Sequence, residues 1–416
     1  MKRHGALAGL VLSAVVPVLA AFGGVIALSG CASCQSTVRQ VSIPAVAAGS
    51  FDGVEGDQTG HRLYLADRTT NKVDVIDISS ADPWFKGAID VGGPPNGLAV
   101  APELHRLYAG VAGGTLAVVD IEASSPHFMQ VINTITVDPA DADLIDYSAK
   151  LNRVFVSTGT GGEVVSVDPT GAAPQVRYPL KTEVGQPRYN PADGLLYVTV
   201  AGLDSIVAIN PSDGKTVRTI KVAGCHPHGL AINPGRQLAM AICRSSVAVV
   251  NLRTAASDVS MVVQGGDLVS YEAAVDRFVV ASPHNRTDSA VGVFYGDGTF
   301  LGSVVSTPAA HGAAFDAARG LVYAPGAAGL MSFTPGACEP PADWMKFAAG
   351  MSVFAVPLFA FALFLIWYAR RMGRARSAGP TWEELQKEDM ANERERMLAL
   401  EDAIFGPLNQ DLRPES

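Results

Sequence analysis

The apolar positions of this chain fall mostly in short runs of β-branched and aromatic residues, separated by turn residues, and one such run returns seven times. It reads Leu63-Tyr64-Leu65-Ala66-Asp67, Leu107-Tyr108-Ala109-Gly110, Val154-Phe155-Val156-Ser157 and Leu196-Tyr197-Val198-Thr199-Val200. It continues as Leu238-Ala239-Met240-Ala241-Ile242, Phe278-Val279-Val280-Ala281 and Leu321-Val322-Tyr323-Ala324. Successive copies lie about forty residues apart, the spacing of propeller blades. The pattern predicts an all-β fold, a seven-bladed β-propeller over 37–335. An open array of β-sandwiches would leave the sevenfold repeat without a reason.

Blade two gives the template. Asn96–Val100 reads as the inner strand, Glu103-Leu104-His105 as a turn, and Arg106–Val111 as the second strand. After the tight turn at Gly113-Gly114, Leu116–Ile121 is the third strand and Gln130–Val137 the outer one. Blade seven lacks an outer strand, because Pro335 follows soon after Gly329–Phe333. The segment Val38–Val46 precedes blade one and is a spare strand. If it completes blade seven, the ring closes with no exposed edge.

Arg62-Leu63-Tyr64-Leu65-Ala66-Asp67 followed by Lys72-Val73-Asp74-Val75-Ile76-Asp77 resembles the YVTN family of bacterial β-propellers. Repeats of that family join an "RLYVAN"-like strand to an "NTVSVID"-like one, and blades six and seven match only loosely. The resemblance implies an extracytoplasmic propeller, and it is silent on activity because the family's roles are diverse.

The two ends place this propeller outside the cytoplasm. Met1-Lys2-Arg3-His4 precedes an apolar run from Gly5 to Leu28, and Leu28-Ser29-Gly30-Cys31 resembles a bacterial lipobox. Residues 1–30 are therefore expected to be a lipoprotein-type signal peptide or an N-terminal membrane anchor, and 31–36 a linker lipidated at Cys31. After a linker at 336–346, the run 347–369 is long enough to span a bilayer. Trp344, Trp367 and Tyr368 sit at its ends, and Arg370, Arg371, Arg374 and Arg376 follow, which puts 370–416 in the cytoplasm. Thr381-Trp382-Glu383-Glu384 reads as a capping box opening a tail helix at about 381–405. That helix is solvated or docks a cytoplasmic or membrane partner. The expected location is a bacterial cell membrane, with the propeller facing out.

An exported protein can oxidise its cysteines. The blade-seven closure brings Cys34 beside Cys338, and Cys225 and Cys243 flank neighbouring antiparallel strands of blade five, so these are the expected disulfides. Free buried thiols are the alternative for Cys225 and Cys243. Both tethers would leave from the face of the Cys34–Cys338 pair, turning the starts of the inner strands away from the membrane.

The net charge of −9 and the lack of a basic stripe argue against a nucleic-acid partner. No nucleotide loop, zinc-protease helix, nucleophile elbow or haem-attachment motif is present. Candidate chemistry comes from aligning the blades at the first residue of each inner strand. This gives Asp52, Asn96, Asp143, Gly185 or Gln186, His228, Asp267 and His311, which should ring one mouth of the central channel. His228, Asp267, His311 and Asp52 share one arc and offer imidazoles and carboxylates suited to a divalent ion such as zinc or calcium. His226 and His284 lie on loops of the same face. Polar residues that touch water, or pair among themselves, are the plainer alternative. His61 and His105 fall in turns of the opposite face.

These features favour a binding or assembly module whose protein partner or small ligand meets the membrane-distal face. A metal-dependent lyase or hydrolase at the arc is one alternative. An accessory subunit held in a membrane complex by helix and tail is another.

Overall fold

The computed structural model describes residues 38–41, 50–139, 141–284, 289–336 and 382–405. Two compact units divide at Cys338. In the first, seven four-stranded antiparallel sheets follow one another along the chain, each strand pairing with the next. Blade two runs Pro95–Ala101, Arg106–Val111, Thr115–Asp120 and Gln130–Thr136, close to the template read from sequence.

The recurring phrase has a physical reason. It is the second strand of each blade, and that strand is buried on both faces, so it carries apolar residues without a break. In blade one, Tyr64 and Ala66 pack toward blade two against Leu107, Ala109 and Val119. Leu63 and Leu65 turn the other way and pack with Tyr323 and Leu330 of blade seven. The core is thus seven interblade layers rather than one central mass. Each layer is dry; Tyr64, Tyr108 and Tyr197 are 0 % exposed.

The ring closes as expected. Val38–Val41 pairs antiparallel with Gly329–Phe333, in the register Val38↔Phe333 to Val41↔Leu330. Gln40 adds a side-chain hydrogen bond from Nε2 to the Ala328 carbonyl at 2.6 Å. Because Val38 and Phe333 lie side by side, the propeller's two chain ends emerge together, and the hairpin at Gly326–Gly329 marks the opposite face. The Cys225–Cys243 disulfide is present, with Cα atoms 4.4 Å apart.

The second unit contains one described element, the helix Trp382–Phe405. Glu383, Lys387, Glu388, Glu393, Arg394, Glu395 and Arg396 are exposed, as are Met390 and Met397. Among the described residues no helix is long and apolar enough to cross a membrane. The run 347–369, the N-terminal segment with Cys31 and the Cys34–Cys338 pair lie outside the described residues.

Candidate functional site at the channel mouth

A β-bulge at the head of the inner strands builds the mouth. In blades one, two and four the ladder skips, so that Asp52-Gly53, Asn96-Gly97 and Gly185-Gln186 each oppose a single residue. Blades three, five and six repeat the geometry just ahead of the strand proper. There Asp143 donates its N–H to the Ser157 carbonyl at 2.9 Å, while the Ser157 N–H donates to Leu144 at 2.8 Å. His228 and Gly229 bracket Ile242 in the same way, and Asp267 and Leu268 bracket Ala281. The extra residue breaks the alternation of sides, so the first bulged residue reaches the mouth while the second lines the channel below it.

Adjacent blades touch backbone to backbone at this level. The N–H groups of Gly97, Gln186 and Leu268 donate to the carbonyls of Asp143, His228 and His311, at 3.0, 3.0 and 3.2 Å. A Cβ on Gly53 would sit 2.7 Å from the Asn96 carbonyl oxygen, and one on Gly229 only 2.3 Å from that of Asp267. Glycine follows the mouth residue in these blades because nothing larger lets the strands approach. The register also settles blade four: Gly185 matches Asn96, and Gln186 matches Gly97. Blade four therefore contributes no side chain to the mouth. Next to this gap a groove of about 610 Å³ opens, lined by Glu183, His226, His228, Arg244 and His284 among others.

The mouth divides into two polar networks. On blades five to seven, Asp267 is shared by two imidazoles. His311 Nδ1 lies 2.5 Å from its Oδ2, and His228 Nδ1 lies 3.1 Å from its Oδ1, out of line for a good hydrogen bond. On blades one to three, Arg68 Nη1 donates to Asp52 at 2.8 Å and to the Asn96 side chain at 2.7 Å. Asn96 in turn donates to Asp141 at 3.0 Å. Asp143 stands between the networks with no side-chain hydrogen bond among the described residues.

Burial and charge set the protonation states. Burial opposes ionisation of Asp267, but its imidazole partners overcome that and hold the carboxyl well below the usual carboxylate range. Burial presses His228 down, and Asp267, with Asp143 and Asp52 behind it, raises it to about 9. The Asp267 hydrogen bond raises His311 against its burial. Asp143 is pushed up to about 7, chiefly by burial, with Asp52, Asp141 and Asp267 adding to it. Burial raises Asp52 too, although Arg68 opposes it.

All the expected arc residues meet at this mouth, together with Asn96 and Asp143. His226 and His284 stand in the adjoining groove, and the His226 N–H donates to Asp204 at 2.8 Å. His105 is exposed, 3.1 Å from Glu122. Arg68 and Asp141 escaped the alignment because they lie just outside the repeated strands, Arg68 on a turn and Asp141 in an isolated bridge to Ala112. Both Oδ atoms of Asp267 face imidazole Nδ1 atoms, and Asp52 is engaged by Arg68. Among the described residues no group of three or more His, Cys, Asp or Glu is arranged to hold a metal ion. With His311 Nδ1 hydrogen-bonded to Asp267 and His228 Nδ1 only in charge contact with it, each imidazole still has its Nε2 edge for another partner.

No family model matches the chain, and no curated protein matches it in sequence. The YVTN resemblance thus rests on the repeat residues alone. In structure 1632 solved chains match, which marks a widely shared fold. One is the structure of a streptogramin B lyase, with a TM-score of 0.57 and 13% identity, covering 72% of this chain and 97% of that one. At that identity the likeness shows the seven-bladed fold and nothing finer.

Proposed function

We propose that this chain is a membrane-tethered, extracytoplasmic binding module whose small polar ligand docks at the channel mouth. The observation that carries the reading is the sharing of Asp267 by His228 and His311 across three consecutive blades. It fixes two imidazoles at an open mouth and leaves an edge of each for a hydroxyl or carbonyl group. The adjoining groove gives such a ligand room, within the range typical of small-molecule sites. The tether rests on the apolar runs at 5–28 and 347–369 and on the arginines after the second. A panel of polar metabolites read by thermal shift tests the site. The expected result is a stabilising compound whose effect disappears in Asp267→Asn and in His228→Ala; an effect unchanged in both variants would remove the mouth from the reading.

A second reading places a divalent ion, zinc or calcium, on His228 and His311 and gives the mouth lyase or hydrolase chemistry. The Nε2 edges favour it, since metal-bound histidines commonly give their other nitrogen to a carboxylate. Asp267 would then orient the imidazoles, and the bound ion would supply Lewis-acid chemistry. Elemental mass spectrometry after incubation with zinc and calcium decides this. Near-stoichiometric metal that is lost in His228→Ala/His311→Ala supports the ion, and no metal in either protein ends that reading.

A further inference from the structure

The bulge alignment that locates the mouth, carried three residues further along each inner strand, gives a second ring. Glu55, Asp146, Arg188 and Ser270 occupy it in blades one, three, four and six, and Ala99, Ala231 and Ala314 fill the rest. All seven line a cavity of about 270 Å³ at the far end of the channel, joined by Glu272 and by the tyrosines 147, 189 and 271. A waist of about 30 Å³, walled by residues such as Gly53, Leu144 and Leu268, lies between this cavity and the mouth.

Most polar groups of the cavity are already satisfied. Arg188 donates to the carbonyls of Leu230 and Ile145, each at 3.0 Å, and to Asp146 at 3.2 Å. The second oxygen of Asp146 accepts the Tyr189 N–H at 2.7 Å, and Ser270 donates to the Ala313 carbonyl at 2.9 Å. Glu272 accepts the Ala274 N–H through one oxygen only. The Glu55 side chain has no hydrogen bond among the described residues. Its ring neighbours are Ala99 and Ala314, so open volume lies beside it. Three carboxylates thus face one guanidinium; of the two it leaves over, Glu272 holds a backbone N–H and Glu55 is the one with space next to it.

Size and ligand count choose the kind of cation. A water occupies about 30 Å³, so the cavity has room for roughly nine, far more than a bare ion needs. No group of three or more ligating side chains is arranged for a metal among the described residues. We propose that this second mouth binds a small organic amine, its ammonium group on Glu55 and its carbon frame against the tyrosine rings. Burial pushes Glu55 up to about 7, against Arg188 and helped by Asp146, Glu272 and Asp57, so amine binding should strengthen from pH 6 to pH 8.

Titration calorimetry of the full-length protein in detergent at pH 8, with n-butylamine, putrescine and neutral n-butanol, tests the proposal. At least one amine should bind while the alcohol does not, and Glu55→Gln should weaken the amine about tenfold or more. Glu272→Gln, whose carboxylate already accepts the Ala274 N–H, should weaken it less and serves if Glu55→Gln fails to fold. Failure of both amines to bind, or binding undiminished in Glu55→Gln, would overturn the proposal. So would loss of amine binding in His228→Ala, which would seat the amine at the other mouth.

Discussion

His228 shows how much one carboxylate decides at this mouth. Asp267 and the acidic residues behind it raise the imidazole to about 9 despite its burial. A raised histidine stabilises the fold fully below its unfolded value near 6.5, and that contribution is lost as the pH rises through about 9. The expected NMR titration midpoint of His228 is therefore about 9, falling toward the ordinary histidine range in Asp267→Asn; an unmoved midpoint would remove Asp267 as the cause. Asp74 presents the opposite case. It shares a strand face with Ile76, toward blade seven, is 3% exposed, and its Oδ2 has no hydrogen-bond partner. Burial lifts it to about 7. A carboxyl raised in the folded state costs nothing at acid pH and costs most above its folded value. Asp74→Asn should accordingly stabilise the protein by about 2 kcal/mol at pH 8, an advantage that shrinks as the pH falls toward 4. Denaturant melts of both proteins across that range check it. The mouth ring was legible at this scale because each blade starts its inner strand alike. Glu55 and Arg188 stood in the same alignment three places on, but without the bulge nothing in the sequence says that both registers face one channel. Arg68 and Asp141 follow no repeat, and only the folded connections between strands bring them to the mouth.

Strands and their connections explain why the architecture could be read and the local geometry could not. Each repeat has four short strands, and the second, buried on both faces, leaves a continuous apolar phrase that marks it. The closing strand was legible because blade seven ran out of chain and Val38–Val41 had no blade of its own. The bulges were not, since an extra residue in a glycine-containing strand start looks like ordinary turn chemistry. The Cys225–Cys243 bond joins the loop before the Leu230–Asn233 strand to the end of Leu238–Cys243. That loop carries His226 and His228. Cys243 also borders the groove, so the bond holds the histidine loop as well as the blade. Closing a loop with a sequence separation of 18 residues removes unfolded-state freedom equivalent to about 3 kcal/mol. Replacing both cysteines by serine should lower stability by about that amount in denaturant melts under oxidising conditions. The same variant should weaken any ligand that depends on His228. A variant as stable as the parent would show that the blade's packing alone fixes the loop.

At the scale of the whole molecule the two channel ends are chemically unlike. One carries two imidazoles on a shared aspartate, and the other the unpaired Glu55 carboxylate with Glu272 and tyrosines around it, with a narrow waist between them. The propeller's chain ends emerge beside Phe333, away from the Gly326–Gly329 hairpin, and the inner strand of blade seven starts at His311 near that hairpin's side of the disc. If both ends lead to the membrane, as the sequence at 5–28 and 347–369 implies, the histidine mouth looks outward and the Glu55 cavity faces the bilayer. In that arrangement the arginines from Arg370 onward, rather than net charge, would set the orientation by resisting export. Two epitope tags make the orientation measurable. One inserted in the exposed turn at Ser212–Gly214 should be reached by antibody on intact spheroplasts, and one appended after Ser416 only after permeabilisation. Equal access to both without permeabilisation would remove the spanning segment, and protection of both would place the propeller inside. In that last case the mouth would lose its outward face, and a ligand drawn from the cytoplasm would have to be sought instead.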